Sequence, residues 1–129
     1  MTYNQLTKQE YDIIVNKKTE PPFTGIYDDF YKEGTFICKR CNNPLFSSQA
    51  KFDAGCGWPA FDDCFNNSVQ QITDKDGNRT EILCNNCKAH LGHVFKNEGF
   101  TNKNTRHCVN SLSIKFIPDN QELPEVIYE

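Results

Sequence analysis

A chain of 129 residues has room for one domain and little more. Fourteen basic against 17 acidic residues give a net charge of −3, so phosphate-driven binding to nucleic acid, which needs an excess of Lys and Arg, is not expected. No apolar stretch approaches the roughly 18 residues of a membrane helix and no basic-then-apolar leader opens the chain, so neither membrane insertion nor secretion by a cleaved signal is expected.

In chain order, residues 7–17 carry a helix signal. Thr7 and Glu10 fit a capping box, and Tyr11, Ile14 and Val15 recur at helical spacing. Glu20-Pro21-Pro22 ends the helical segment, because proline restricts its predecessor and donates no hydrogen bond. Beyond it the chain reads as short strands. Thr35–Cys38 runs into a turn at Lys39-Arg40, and residues 69–73 and 80–84 flank Asp74-Lys75-Asp76-Gly77-Asn78, a hairpin signal. Residues 106–117 read as a final strand with Leu112, Ile114 and Phe116 on one face and Ser113 and Lys115 on the other. Carried backwards, that alternation puts Arg106, Cys108 and Asn110 on the apolar face and His107 on the opposite one. With ten phenylalanines, the core should rest on a few large aromatic contacts. The expectation is one small, mainly β, mostly antiparallel domain over 1–129, with a helical segment at 1–20 and a tail at 118–129.

Seven cysteines, at 38, 41, 56, 64, 84, 87 and 108, are the informative excess. An odd number without a leader points to a reducing compartment, where clustered cysteines bind metal or do chemistry. Cys38-x-x-Cys41 and Cys84-x-x-Cys87 can each offer two thiolates from a tight turn, the pattern of a tetrahedral zinc site. Their separation exceeds common zinc-ribbon spacing, but loop closure grows only logarithmically, and structural zinc supplies about 10–16 kcal/mol. Paired disulfides and a redox C-x-x-C are the alternatives. The redox reading suffers because Asn42-Asn43-Pro44 blocks the helix that such a motif opens. His90-Leu91-Gly92-His93 could complete a separate Cys₂His₂ site with Cys84 and Cys87, or could place two proton donors beside the second knuckle.

Three cysteines remain. Cys108 lies two residues from Arg106, whose charge favours a thiolate, although a free cysteine is as readily a small buried hydrophobe. Cys56 stands between Gly55 and Gly57, which suggests an accessible thiol on a loop free to travel towards another. Trp58, the single tryptophan, is either a core plug or an apolar wall for a small substrate group. Cys64 is either a bystander or a back-up resolving thiol.

Taken together, Glu20-Pro21-Pro22-Phe23-Thr24-Gly25, the two C-x-x-C pairs, Lys51–Phe61, His90–Phe95 and Arg106–Ser111 make the chain resemble methionine-R-sulfoxide reductase B. That resemblance implies two antiparallel sheets with peripheral helices, and one structural zinc on Cys38, Cys41, Cys84 and Cys87. It implies Cys108 as nucleophile, Cys56 as resolving cysteine, and His90 and His93 as the groups that bind and protonate the sulfoxide oxygen. Trp58, with Phe61, would receive the methyl group, Asn110 would fix substrate or water, and Arg106 would support the site electrostatically. The implied substrate is methionine sulfoxide in oxidised proteins and the implied reductant is thioredoxin, with the chain acting as a cytoplasmic monomer. A non-catalytic zinc-ribbon binding module is the competing reading. Ala60 stands where the family often has Ser and His107 where it often has Tyr, and Cys64 lies outside the family pattern.

Overall fold

A computed structural model describes residues 2–74 and 77–129. Among these residues one α-helix, α1 (Lys8–Ile14), precedes nine strands: β1 (Gly34–Cys38), β2 (Pro44–Ser47), β3 (Lys51–Phe52), β4 (Ala60–Phe61), β5 (Val69–Thr73), β6 (Thr80–Cys84), β7 (His90–Lys96), β8 (Thr105–Val109) and β9 (Ile114–Pro118). They form two antiparallel sheets, β2-β1-β9 and β3-β4-β8-β7-β6-β5. Among the described residues no helix is long and apolar enough to cross a membrane.

The capping box forms as expected, with Glu10 N–H donating to Thr7 Oγ1 and Thr7 N–H to Glu10 Oε1. The helix is shorter than its sequence signal because Lys17 turns left-handed (φ 62°) and Lys18 N–H reaches back to the Asp12 carbonyl, closing the last turn. Its buried apolar face is Ile13 and Ile14; of the three residues that periodicity suggested, Ile14 is buried, Val15 is partly buried against the core and Tyr11 is 50% exposed. The hairpin pairs Val69 with Cys84 and Thr73 with Thr80 as expected; Lys75 and Asp76 of its turn lie outside the described residues.

The expected single strand over 106–117 is broken. A 3-10 turn at Ser111–Ser113 separates β8 from β9, and the two strands belong to different sheets. The break is held by side chains that bond backbone. Asn110 Nδ2 donates to Leu91 O, and Ser113 Oγ donates to His90 O. Alternation therefore holds within β8, where His107 and Val109 are buried and Arg106 and Cys108 face the other way. It does not carry through to Leu112.

The aromatic core is as expected. Phe46 stacks on Phe61 with centroids 4.4 Å apart, Phe36 meets Phe61 edge-on at 5.1 Å, and Tyr27, Phe30 and Phe116 extend the cluster. Phe36 and Phe46 come from the smaller sheet and Phe61 from the larger, so these rings join the two. His107 sits in the same layer, its Nδ1 donating to Phe61 O at 3.0 Å, and burial pulls its pKa below the ordinary value. A buried neutral histidine leaves the unfolded chain binding more protons, so its stabilisation is complete above about pH 6.5 and is lost as pH falls through that value. His107→Tyr should therefore give a shallower fall of Tm between about pH 6.5 and 5.5 than wild type; an unchanged slope in scanning calorimetry would contradict this.

The C-terminal segment is not a loose tail. Ile127 is buried, its N–H donates to Cys41 O and its carbonyl accepts from Asn86 Nδ2, so it bridges both cysteine turns. Asn42 Nδ2 bonds Glu125 O, and Tyr3 N–H bonds the Glu129 carboxylate. Removing residues 123–129 should cost about 2–4 kcal/mol from one buried side chain and several hydrogen bonds. Chemical denaturation would read this as a lower midpoint, and no change would mean that the segment contributes nothing.

Candidate active site and cysteine centre

The two C-x-x-C turns are built alike. In the first, Asn42 N–H bonds Cys38 O and Cys38 N–H bonds Asn43 O; in the second, Lys88 N–H bonds Cys84 O and Cys84 N–H bonds Ala89 O. The residue after each pair, Asn42 or Lys88, is left-handed (φ 70° and 64°). These matching knuckles bring four buried free thiols together, with all four Sγ within 4.8 Å. Cys38 and Cys87 are 3.5 Å apart, and Cys41 and Cys84 are 3.6 Å apart. Sulfurs at about 2.3 Å from a tetrahedral ion stand about 3.8 Å apart, so the set fits a metal ion closely. Hydrogen bonds from the neighbouring thiols pull Cys84 far below the usual thiol range and, from Cys38 first, bring Cys41 to about 7. His90 is not part of the cluster, because its Nδ1 lies 2.7 Å from Glu81 Oε2. The separate Cys₂His₂ centre is therefore not formed.

A second site lies on the open face of the larger sheet. Ala60, Cys108 and His93 are direct neighbours across β4, β8 and β7. The strands approach closely because residue 92 is glycine: a Cβ there would collide with the Cys108 carbonyl. Cys56 arrives from the loop after β3, its sulfur 3.9 Å from Cys108 Sγ. Gly55 and Gly57 are both left-handed (φ 68° and 93°), and a Cβ on Gly57 would press on Pro22 and Phe23. Here the glycines shape a turn that already faces one thiol to the other, rather than leaving a thiol that must travel.

The two sulfurs behave as a pair. The Cys108 hydrogen bond, foremost, together with Arg106, brings Cys56 down to about 6 against the effect of burial. Cys108 is pushed far up by Cys56 and by burial, with Arg106 opposing. One negative charge is thus shared at neutral pH. Cys108→Ala should raise the Cys56 midpoint above about 6, read from the pH dependence of iodoacetamide alkylation; an unmoved midpoint would contradict the coupling.

Beside Cys108 is a cavity of about 120 Å³, bordered by Trp58, His93, Phe95, Asn110, Thr19 and Arg79. It is small, and it offers an aromatic wall and a histidine beside the Cys108 sulfur. A larger cavity of about 600 Å³ lies behind residues 18–27 and contains none of the thiols. Trp58 is fixed by Nε1 donating to Glu20 O at 3.0 Å, and Glu20 N–H donates in turn to Asn110 Oδ1 at 3.0 Å. Asn110 therefore braces the tryptophan wall. Arg106 forms a two-point contact with Glu98 and lies 4.3 Å from the Phe95 ring centroid.

The histidines are not equivalent. His93 borders the cavity with its Nε2 3.3 Å from Asp74 Oδ2. His90 is only 2% exposed and lies one layer behind, 5.7 Å from His93 between ring centroids. Phe61 needs correction as a substrate contact: it is completely buried, stacked on Phe46 in the core, and only its backbone runs past the site. Cys64 borders a different cavity with Asp62, Asp63 and Lys103, and burial raises its thiol. Glu81, Glu98 and Asp74 escaped the sequence reading. Glu81 had a signal, as an acid directly before the apolar run Ile82-Leu83-Cys84 of a core strand.

A close thiol pair beside a small aromatic-walled cavity, on a fold that carries a separate four-cysteine cluster, is an arrangement suited to the redox chemistry of an oxidoreductase. Residues 6–118 match the SelR domain family. The chain is 51% identical over 114 residues to peptide methionine sulfoxide reductase B5 of Arabidopsis thaliana, covering 88% of this chain and 82% of that protein. It is 45% identical over 122 residues to peptide methionine sulfoxide reductase MsrB of Herminiimonas arsenicoxydans, covering 91% and 88% respectively. The chain belongs to the peptide methionine sulfoxide reductase B family, and its chemistry is the reduction of methionine sulfoxide.

Proposed function

We propose that the protein reduces methionine-R-sulfoxide in oxidised proteins, with Cys108 as nucleophile, Cys56 as resolving thiol and thioredoxin as the recycling dithiol. The observation that carries this reading is the 3.9 Å approach of Cys56 to Cys108, with Cys108 on the wall of a small cavity that Trp58 and His93 also border. Cys108 attacks the sulfoxide sulfur while the proton held by the thiol pair passes to the sulfoxide oxygen. The S–S bond so formed and the methionine S–O bond then break together: one electron pair makes the new Cys108 S–O bond of a sulfenic acid, and the other stays on the methionine sulfur, which leaves as the thioether. Cys56 then attacks the sulfenic sulfur, water departs, and a Cys56–Cys108 disulfide forms. A dithiol restores both thiols by exchange.

Trp58 receives the methyl group. His93 meets the oxygen, with His90 behind it, and Asn110 fixes the wall and the substrate. Arg106 favours the thiolate form of both cysteines. Cys38, Cys41, Cys84 and Cys87 hold one Zn²⁺, which makes the knuckles rigid and takes no part in the redox step. Seven free cysteines suit a reducing compartment, the cytoplasm, and the chain acts as a monomer.

The test is a reaction without reductant. Fully reduced protein is mixed with each sulfoxide epimer, products are counted and disulfides mapped by mass spectrometry. One methionine per chain from the R epimer alone, a Cys56–Cys108 bond, and its removal by reduced thioredoxin are expected. A protein still fully reduced, with no methionine formed, would falsify the reading.

A further inference from the structure

Glu81 is a buried acid in a strand whose next residues are Ile82 and Leu83, where an unpaired carboxylate would be costly. It is paired at both oxygens. Oε2 lies 2.7 Å from His90 Nδ1, and Oε1 lies 3.2 Å from Lys17 Nζ, which the left-handed turn after α1 brings to the strand. Across the sheet Glu81 is opposite His93, and His93 is opposite Cys108. His90 Nε2 is buried without a hydrogen-bond partner. An ion pair that only stabilised the strand would not need a histidine whose second nitrogen is left bare.

We propose that Glu81 is a positioning residue for the oxygen-protonating histidines, holding His90 in the Nδ1–H tautomer so that Nε2 stays open as a proton-accepting relay beside His93. This rests on the proposed role of the histidine pair in sulfoxide reduction. A ring whose Nδ1–H points at a carboxylate can take a proton on Nε2, be stabilised as imidazolium, and release that proton again. Lys17 balances the carboxylate while the ring is neutral. The charged and titratable groups acting on His90 are Glu81, Lys17 and His93. The balance is a proton shuttle alone: the proton that the thiol pair gives up enters at His93, which is opposite Cys108, is shared with the His90 ring behind it, and is returned through His93 to the sulfoxide oxygen. No electrons move through Glu81.

The test compares the zinc-loaded wild type with Glu81→Gln, Glu81→Leu and Glu81→Asp, using ¹⁵N-labelled histidine. In the wild type the His90 nitrogens should show the Nδ1–H tautomer. Glu81→Leu should move that signature to a mixture or to Nε2–H. Glu81→Gln can still accept the Nδ1 proton but lacks the charge, so kcat should fall about 10²-fold with KM nearly unchanged, and Glu81→Asp should recover part of it. An unmoved tautomer in Glu81→Leu, or wild-type kcat in folded Glu81→Gln, overturns the inference. A wild type that shows the Nδ1–H tautomer yet reduces no sulfoxide overturns the reductase mechanism instead, and the relay role falls with it.

Discussion

Cys108→Ser is expected to lower turnover on the R-sulfoxide by about 10³-fold or more, since a hydroxyl at this position offers neither the nucleophilicity of sulfur nor a stable sulfenic state. Cys56→Ser should behave differently, and the contrast carries the argument. With Cys108 intact, one equivalent of methionine still forms and the sulfenic acid persists, trapped by dimedone, while steady-state cycling with thioredoxin stops because no disulfide is presented to it. Dithiothreitol, small enough to reach the sulfenic acid directly, should restore cycling in Cys56→Ser but not in Cys108→Ser. The geometry adds a third arm. Cys64 borders another cavity, so Cys56→Ser with Cys64→Ser should match Cys56→Ser alone. Thioredoxin-driven cycling that survives in Cys56→Ser and disappears in the double variant would show that the loop rearranges far enough for Cys64 to resolve the intermediate.

What the sequence made legible follows from how local each constraint is. The knuckles were readable because two thiolates in one tight turn are a short-range pattern, and pairing the two motifs required only that four thiolates fit one ion. The hairpin was readable because its turn residues and flanking β-branched positions all lie within residues 69–84. Reading 106–117 as one strand failed because alternation cannot see a 3-10 turn whose cause is the Asn110 and Ser113 side chains bonding backbone far away in sequence. Phe61 was misplaced for a related reason. Its motif runs through the site, but Ala60 is the residue paired with Cys108, and the next side chain in a strand points to the opposite face. The inequality of His90 and His93 is also tertiary: it depends on Glu81 occupying one ring and the cavity opening beside the other.

The cysteine centre should matter more for stability than any other feature of this small domain. Cys38 ends β1 of the three-stranded sheet and Cys84 ends β6 of the six-stranded sheet, so an ion held by all four thiolates fastens one sheet to the other. The same centre lies three residues before His90, at the start of the strand that carries both histidines. Structural zinc contributes about 10–16 kcal/mol, which is comparable to the whole 5–15 kcal/mol stability of a typical domain. Without it, four buried thiols with strongly displaced proton affinities face one another, and the aromatic contacts alone must hold the sheets. Cys84→Ser is therefore expected to lose the metal and to lower Tm by about 20 °C or more, because a loss of even 5 kcal/mol corresponds to that shift at this size. Stripping the wild type with a mercurial and a chelator should release one zinc per chain, flatten the near-ultraviolet circular dichroism and abolish turnover together. A stripped protein that keeps its melting temperature would show that the four thiols pack as ordinary core residues. Loss of activity with an unchanged melt would instead place the metal's influence on the His90–His93 strand alone.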